Sequence, residues 1–140
     1  MTMPLSIRFD PVLLARLRKR AVAATGANTS ALAQRLVDEG LRMMDHPGVI
    51  FKDGPTGRRA ALAYGPDVWE IVKFLREIDE RGPAALEAAA EVFAVEVHRI
   101  GAAVSYYADY RDEIDAEIAA ADDASVRAEQ AWRIQQQLIA

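Results

Sequence analysis

The chain has 140 residues, a net charge of −4 and no cysteine. That length allows one domain or two small ones, and the missing thiols exclude a disulfide framework and any thiolate metal site. No apolar run is long enough to cross a bilayer and the N-terminus lacks the apolar core of a signal peptide, so a reducing, cytoplasmic setting is expected. The charge is unevenly spread. Residues 1–44 carry seven Lys/Arg against three Asp/Glu, residues 45–65 three against two, and residues 66–140 seven against sixteen. A basic first third at +4 and an acidic last half at −9 imply two jobs in one chain.

Leu5, Ser6, Ile7, Arg8 and Phe9 alternate apolar and polar, which predicts a strand with Leu5, Ile7 and Phe9 on one face. No second strand follows until two helical segments have passed. A lone strand leaves its backbone N–H and C=O groups without partners, and the economical partner is the same strand of a second copy. Asp10-Pro11 then reads as N-cap and first helical residue. Leu13, Leu14, Leu17, Ala21 and Val22 recur at helical spacing, with Arg16, Arg18, Lys19 and Arg20 on the other faces, and the helix is expected to stop near Thr25-Gly26 with Gly26 left-handed. Asn28, Thr29 and Ser30 offer the next cap. Leu32, Ala33, Leu36, Val37, Leu41 and Met44 line a second helix that ends before Pro47.

This order of strand, basic helix, Gly-x-Asn-Thr-Ser turn and apolar helix over residues 3–44 resembles the ribbon–helix–helix (Arc/MetJ/CopG-like) DNA-binding family. The resemblance implies a homodimer through the N-terminal strand, a two-stranded ribbon in the major groove of operator DNA, and base reading by Ser6 and Arg8, with Pro4 as the preceding outward position. Arg8 is the natural partner for guanine O6 and N7. Asn28, Thr29 and Ser30, at a helix start, would hold a phosphate. Pro4 departs from the family, many of whose members carry a polar residue there. The bland alternative makes Arg8 and the arginines of the first helix merely solvated side chains, but it leaves the unpaired strand unexplained.

Residues 48–63 read as two short strands around a Gly/Pro turn. The arginines Arg58 and Arg59 after Gly57 do not make a Walker loop, because the Gly-Lys-Ser/Thr ending is missing. They read as hairpin-exit residues, solvated or resting on acidic surface. Pro66-Asp67 opens a helix with Val68, Trp69, Ile71, Val72 and Leu75 on its apolar face, broken at Arg81-Gly82-Pro83. A helix from Ala84 to about Phe93 follows, then one from near Val95 through Val97, Ile100, Ala103, Val104 and Tyr107. Three helices after a hairpin, with the Ala103-Val104-Ser105-Tyr106-Tyr107-Ala108-Asp109 stretch and Glu113-Ile114-Asp115 after it, resemble the small winged-helix-like antitoxin modules classed as DUF433. The hairpin departs from that family's usual pattern.

Asp109, Asp112, Glu113, Asp115 and Glu117 form a run on one helix without histidine at ligand spacing, which reads as a solvated face rather than a metal site. His46 and His98 are lone histidines, read as a junction residue and a helix-face residue. Residues 124–140 read as a separate last helix with Ala128, Trp132, Gln135, Leu138 and Ile139 on one face, docking either back on the fold or into a partner's groove.

The expected fold is therefore mainly α with short β. Residues 1–45 form a ribbon–helix–helix dimerisation domain, residues 46–65 a connecting hairpin and residues 66–140 an acidic, helical partner-binding domain. A segment at −9 is repelled by a phosphate backbone, so the second half is expected to bind protein. Both resemblances imply an antitoxin of a type II toxin–antitoxin system that represses its own operon and neutralises a PIN-like ribonuclease. Arg127, Trp132, Arg133 and Leu138 are its candidate partner contacts, and a guanidinium placed among the nuclease's acidic residues its candidate means. The alternative is a dimeric regulator whose second half binds a ligand or oligomerises. No nucleophile–base pair, metal cluster or cofactor loop is evident, so neither enzyme activity nor a cofactor is expected.

Overall fold

The computed structural model describes residues 1–24, 28–54 and 57–140. They divide into two compact units, Met1–Met44 and Asp45–Ala140. Gly26, expected to end the first helix, and the Pro55-Thr56 part of the expected hairpin turn lie outside the described residues.

The first unit, the head, contains two helices. α1 spans Pro11–Ala23, and Asp10 caps it as its sequence predicts: Oδ2 accepts from Val12 N and Leu13 N, both at 3.1 Å, with Pro11 at the first helical position. α2 spans Thr29–Asp45, and Asn28 Oδ1 accepts from Ala31 N at 2.7 Å. The strand expected over Leu5–Phe9 is not formed within the protomer. Residues 1–10 carry no helix, strand or turn, and among the described residues no backbone hydrogen bond involves residues 1–9. Strand geometry needs a neighbour, and the head supplies none.

The head buries little. Its apolar cluster is Leu17, Ala21 and Leu32, with Ala33 against it. Most of the side chains expected to form its core stay open to solvent: Leu5, Ile7, Phe9, Leu13, Leu36, Val37, Leu41 and Met44. Val22, placed by its spacing on the buried face of α1, is 88 % exposed.

The second unit, the body, opens with an antiparallel hairpin, β1 (Val49–Gly54) and β2 (Gly57–Leu62), in register from Val49 opposite Leu62 to Gly54 opposite Gly57. Four helices follow: α3 (Val68–Glu77), α4 (Pro83–Phe93), α5 (Val97–Asp109) and α6 (Arg111–Ile139). The hairpin is part of this unit, sharing one core with the helices. Val49, Ala60 and Leu62 meet Val68, Ile71 and Val72 of α3, Ala89 and Ala90 of α4, Ile100, Ala103 and Tyr106 of α5, and Ile114 and Ile118 of α6.

Two expectations shift here. Tyr106 is the fully buried tyrosine of α5, whereas Tyr107 is only partly buried and Val97 is exposed. Neighbouring helix positions point about 100° apart, and Tyr106 follows Ile100 and Ala103 at intervals of three. The last helix is not separate. α6 runs unbroken for 29 residues from Arg111, because nothing in Ala121-Asp122-Asp123-Ala124-Ser125 breaks a helix. Its first turns are core and the rest is surface.

Polar ties also fasten the body. Arg76 of α3 reaches Tyr107 and Asp115. Lys73 of α3 pairs with Asp122 of α6 at 2.5 Å. The Arg99 guanidinium donates to the Ala63 carbonyl. Ala94 closes α4 in the left-handed region at φ 54°, a place where glycine is usual, and Val95 N donates to Ala90 O at 3.0 Å to complete the cap. Among the described residues, no helix is long and apolar enough to cross a membrane.

Candidate functional site

In the head, Pro4, Ser6 and Arg8 are all exposed, as are Asn28 and Ser30, with Thr29 partly buried. Among the described residues no acidic partner holds Arg8, Arg16, Arg18, Lys19 or Arg20, whereas Arg42 pairs with Asp38 at 3.2 Å and Arg35 lies 3.8 Å from Glu39. The unpaired cations thus come from the N-terminal segment and α1, the places a basic surface needs them. Leu13, Leu17, Ala23 and Leu36 line a cleft of about 580 Å3, rimmed by Arg16, Lys19 and Arg20.

In the body, the carboxylate run is mostly structural. Glu113 accepts from Tyr106 Oη at 3.0 Å, and Asp115 accepts from Tyr107 Oη at 2.9 Å as well as from Arg76. The Tyr107 hydrogen bond is the main cause that holds the Asp115 carboxyl below its ordinary range; burial opposes it, and Arg76 and Arg111 add to it. Among the described residues, no group of three His, Cys, Asp or Glu side chains is placed to hold a metal ion.

His46 is not the isolated junction residue its sequence suggests. Its imidazole is buried edge-on to the Tyr106 and Tyr110 rings, with centroids 5.3 and 6.0 Å away. Asp109 Oδ2 lies 2.8 Å from Nε2, at ion-pair distance but off the line of a hydrogen bond, and Ser105 Oγ lies 3.3 Å from Nδ1. The trio has the members of a hydrolytic triad and the wrong burial. In such a triad the acid is buried and the base is open to substrate. Here the Asp109 side chain is exposed and His46 is sealed. The arrangement packs the first residues of the body.

A second polar group was not legible from spacing. Asp67 precedes α3, and its carboxylate accepts from Arg59 Nε at 2.5 Å, Lys52 Nζ at 3.1 Å and Trp69 Nε1 at 3.0 Å. Burial alone raises the Asp67 carboxyl, and the hydrogen bonds from Arg59 and Lys52 more than reverse it, so it sits below the ordinary value. Of the two expected hairpin-exit arginines, Arg59 is thus a partly buried tie, while Arg58 is the exposed one, 3.5 Å from Asp53. Gly54 makes room for Arg59: a Cβ there would coincide with the guanidinium. Glu117 of α6 lies in the same region and is pushed up to about 7, first by burial and then by Glu113 and Asp67, with Arg59 opposing.

The tail of α6 carries the four candidate partner contacts. Trp132 is 59 % and Leu138 84 % exposed, and Ile134 and Ile139 beside them are also open. Arg127 and Arg133 are engaged along the helix, with Asp123 at 2.9 Å and Glu129 at 2.5 Å. Six residues apart, they point about 120° from each other around the axis, so α6 does not present them together. Arg127 borders the apolar stripe of Trp132 and Leu138, and Arg133 lies on the polar side. Comparison of the chain with protein-family models, with curated proteins and with solved structures gives no match.

Proposed function

We propose that this chain is an antitoxin-like repressor: a dimer that binds operator DNA through its head and a protein partner, a PIN-like ribonuclease, through its body and the tail of α6. The observation that carries the reading is the head's unfinished state. Forty-four residues with three buried apolar side chains among the described ones, and no cysteine, are too few to hold a fold alone. Their alternating N-terminal segment has apolar side chains without cover and backbone groups without partners. A second copy answers both needs, and leaves Ser6 and Arg8 of each chain on the outer face of a ribbon narrow enough for the major groove.

The body supports a different partner. It carries ten Lys/Arg against eighteen Asp/Glu, a surface that repels DNA phosphates. The α6 tail offers an amphipathic helix for a protein groove. Insertion of Arg127 into the nuclease's acidic centre requires release of its Asp123 pair, an exposed contact of small cost.

The test pairs a gel shift on the DNA upstream of the gene with copurification of the neighbouring gene's product. Arg8→Ala lowers operator affinity at least about tenfold, the loss of one bidentate base contact per half-site, and leaves the copurified partner untouched. Trp132→Ala does the reverse. Equal loss of both activities in either variant refutes the division of labour.

A further inference from the structure

Residues 122–140 are all exposed, so the body leaves the second half of α6 uncovered. Its polar side is finished: Asp123 pairs with Arg127 and Glu129 with Arg133 along the helix. Its other side is not. Ile118 is the last buried residue of α6. From there to Ile139 the helix places Ala121, Ser125, Ala128, Trp132 and Gln135 at alternating intervals of three and four. That spacing is the seam of a two-helix coiled coil, and no charged residue lies on it. Trp132 and Ile139 on the seam, and Leu138 beside it, are open to solvent. A helix in water draws most of its stability from packing such a face.

We propose that this seam is filled by the same seam of a second copy, running antiparallel. The order of the side chains decides both occupant and direction. In one antiparallel register Ile139 faces Ala121 of the second copy, Trp132 faces Ala128 and Gln135 faces Ser125. Each layer then sets a large side chain on a small one, which holds the two helices at one spacing. The two polar side chains meet each other and can hydrogen-bond. A two-fold axis repeats every pair, as a closed contact between copies requires. Sliding by one heptad puts Gln135 against Ile118 or Trp132. In the parallel arrangement Trp132 meets Trp132 and Ala128 meets Ala128, so overfull and empty layers alternate. The antiparallel order also opposes the helix dipoles. Charge permits it. Asp122 comes to Gln136, and the Glu129 pair that meets at the axis is neutralised by Arg133 in each copy. A partner of other sequence needs only an apolar stripe; large opposite small and polar opposite polar is complementarity of the segment to itself.

The seam from Ala121 to Ile139 is about 27 Å long. Covering Trp132, Leu138, Ile139 and their alanine neighbours in both copies removes on the order of 1,000 Å2 of surface, the lower bound of a specific interface. The contact is therefore weak alone, with a Kd on the order of 10 μM, and gains strength when another contact between the copies raises their local concentration. It does not depend on what the head binds. It uses the face assigned above to a nuclease partner, so such a partner must displace the second copy.

The chain has no cysteine, so introduced thiols report the contact without background. Full-length Ser125→Cys and Gln135→Cys proteins, with no partner present, are mixed, equilibrated above the expected Kd and mildly oxidised. The mixture is expected to give a disulfide-linked dimer of one copy of each variant, since facing Cα atoms come within about 6 Å. Neither variant alone does so, because like positions of antiparallel copies lie about 15 Å apart along the axis. Asp123→Cys mixed with Gln137→Cys, equally spaced on the opposite face of α6, sets the level of random collision. Trp132→Ala in both chains lowers the mixed product at least about tenfold, with helix content by circular dichroism unchanged. Cross-linking of each variant alone reveals a parallel pair, and a mixed yield no higher than the opposite-face control reveals no pair. Either result, or an unchanged yield with Trp132→Ala, overturns the proposal. Failure here leaves the copurification test of the nuclease reading standing, because no partner enters this experiment.

Discussion

The head and the body are both mainly helical and differ in what they finish. The body closes on itself: thirteen buried residues from the hairpin and all four helices form one cluster, with Tyr106, Ile71, Ile100 and Ile114 fully buried. The head has a capped helix pair and stops, with Leu5, Ile7, Phe9, Leu36 and Leu41 on its outside. Burial of apolar area drives folding at about 25 cal/mol per Å2, so a unit with three buried apolar side chains among its described residues gains little from its own burial. Stability in the body is thus expected to be a property of one chain, and stability in the head a property of chain concentration.

The sharpest break of that contrast is a cavity in the body. Tyr106→Ala removes the largest fully buried side chain and its bond to Glu113, and should cost about 3–5 kcal/mol. Chemical denaturation followed by Tyr and Trp fluorescence measures it. The loss should be the same at low and high protein concentration, and dimer affinity should stay within about twofold of wild type wherever the chain is still folded. The mirror experiment is Ile7→Lys. A buried-on-dimerisation lysine should weaken self-association at least about 100-fold, near 3 kcal/mol, seen by sedimentation equilibrium. The body's unfolding midpoint should not move. If Ile7→Lys leaves self-association intact, the head's second copy is not joined through this segment.

A smaller effect comes from the polar tie at the start of α3. Asp67→Ala leaves Arg59, Lys52 and Trp69 without their common acceptor and should cost about 2 kcal/mol at neutral pH. Because the folded Asp67 carboxyl sits below its ordinary 3.8, that contribution is present above pH 4 and is lost as the pH falls further. The gap between wild type and variant should therefore close in acid. A gap that stays constant from pH 7 to pH 3 would show that shape, not charge, accounts for the loss.

How much of this was legible in the sequence depended on range. Local chemistry read well: Asp10-Pro11 starts α1, Asn28 caps α2, and the break at Gly82-Pro83 lies where α4 begins, one residue before the expected Ala84, because each signal acts within a few residues. Apolar spacing found Val68, Ile71 and Val72, but could not choose between adjacent Tyr106 and Tyr107, since both can sit on a helix face and only the neighbouring His46 and Phe51 decide. Arg59 and Asp67 lie eight positions apart across a sheet edge, a distance no helical or strand period links. Leu36 and Val37 read as core because their spacing is that of a covered face, and both are exposed in this chain, since spacing alone does not supply a cover.

Glu117 gives the finest test, because its sign opposes that of Asp67 nearby. The folded carboxyl is pushed up to about 7 from an ordinary 4.5. Between those values the folded chain holds a proton that the unfolded chain releases, so stability falls as the pH rises through the window and levels off above 7. Glu117→Gln removes the penalty while keeping the shape. With the group only partly buried, solvent screening limits the gain to about 1 kcal/mol at pH 8, and wild type and variant should coincide near pH 4. Urea unfolding at both pH values reads the difference. A gain of equal size at pH 4 would mean that the glutamate's packing, rather than its charge among Glu113 and Asp67, strains the fold.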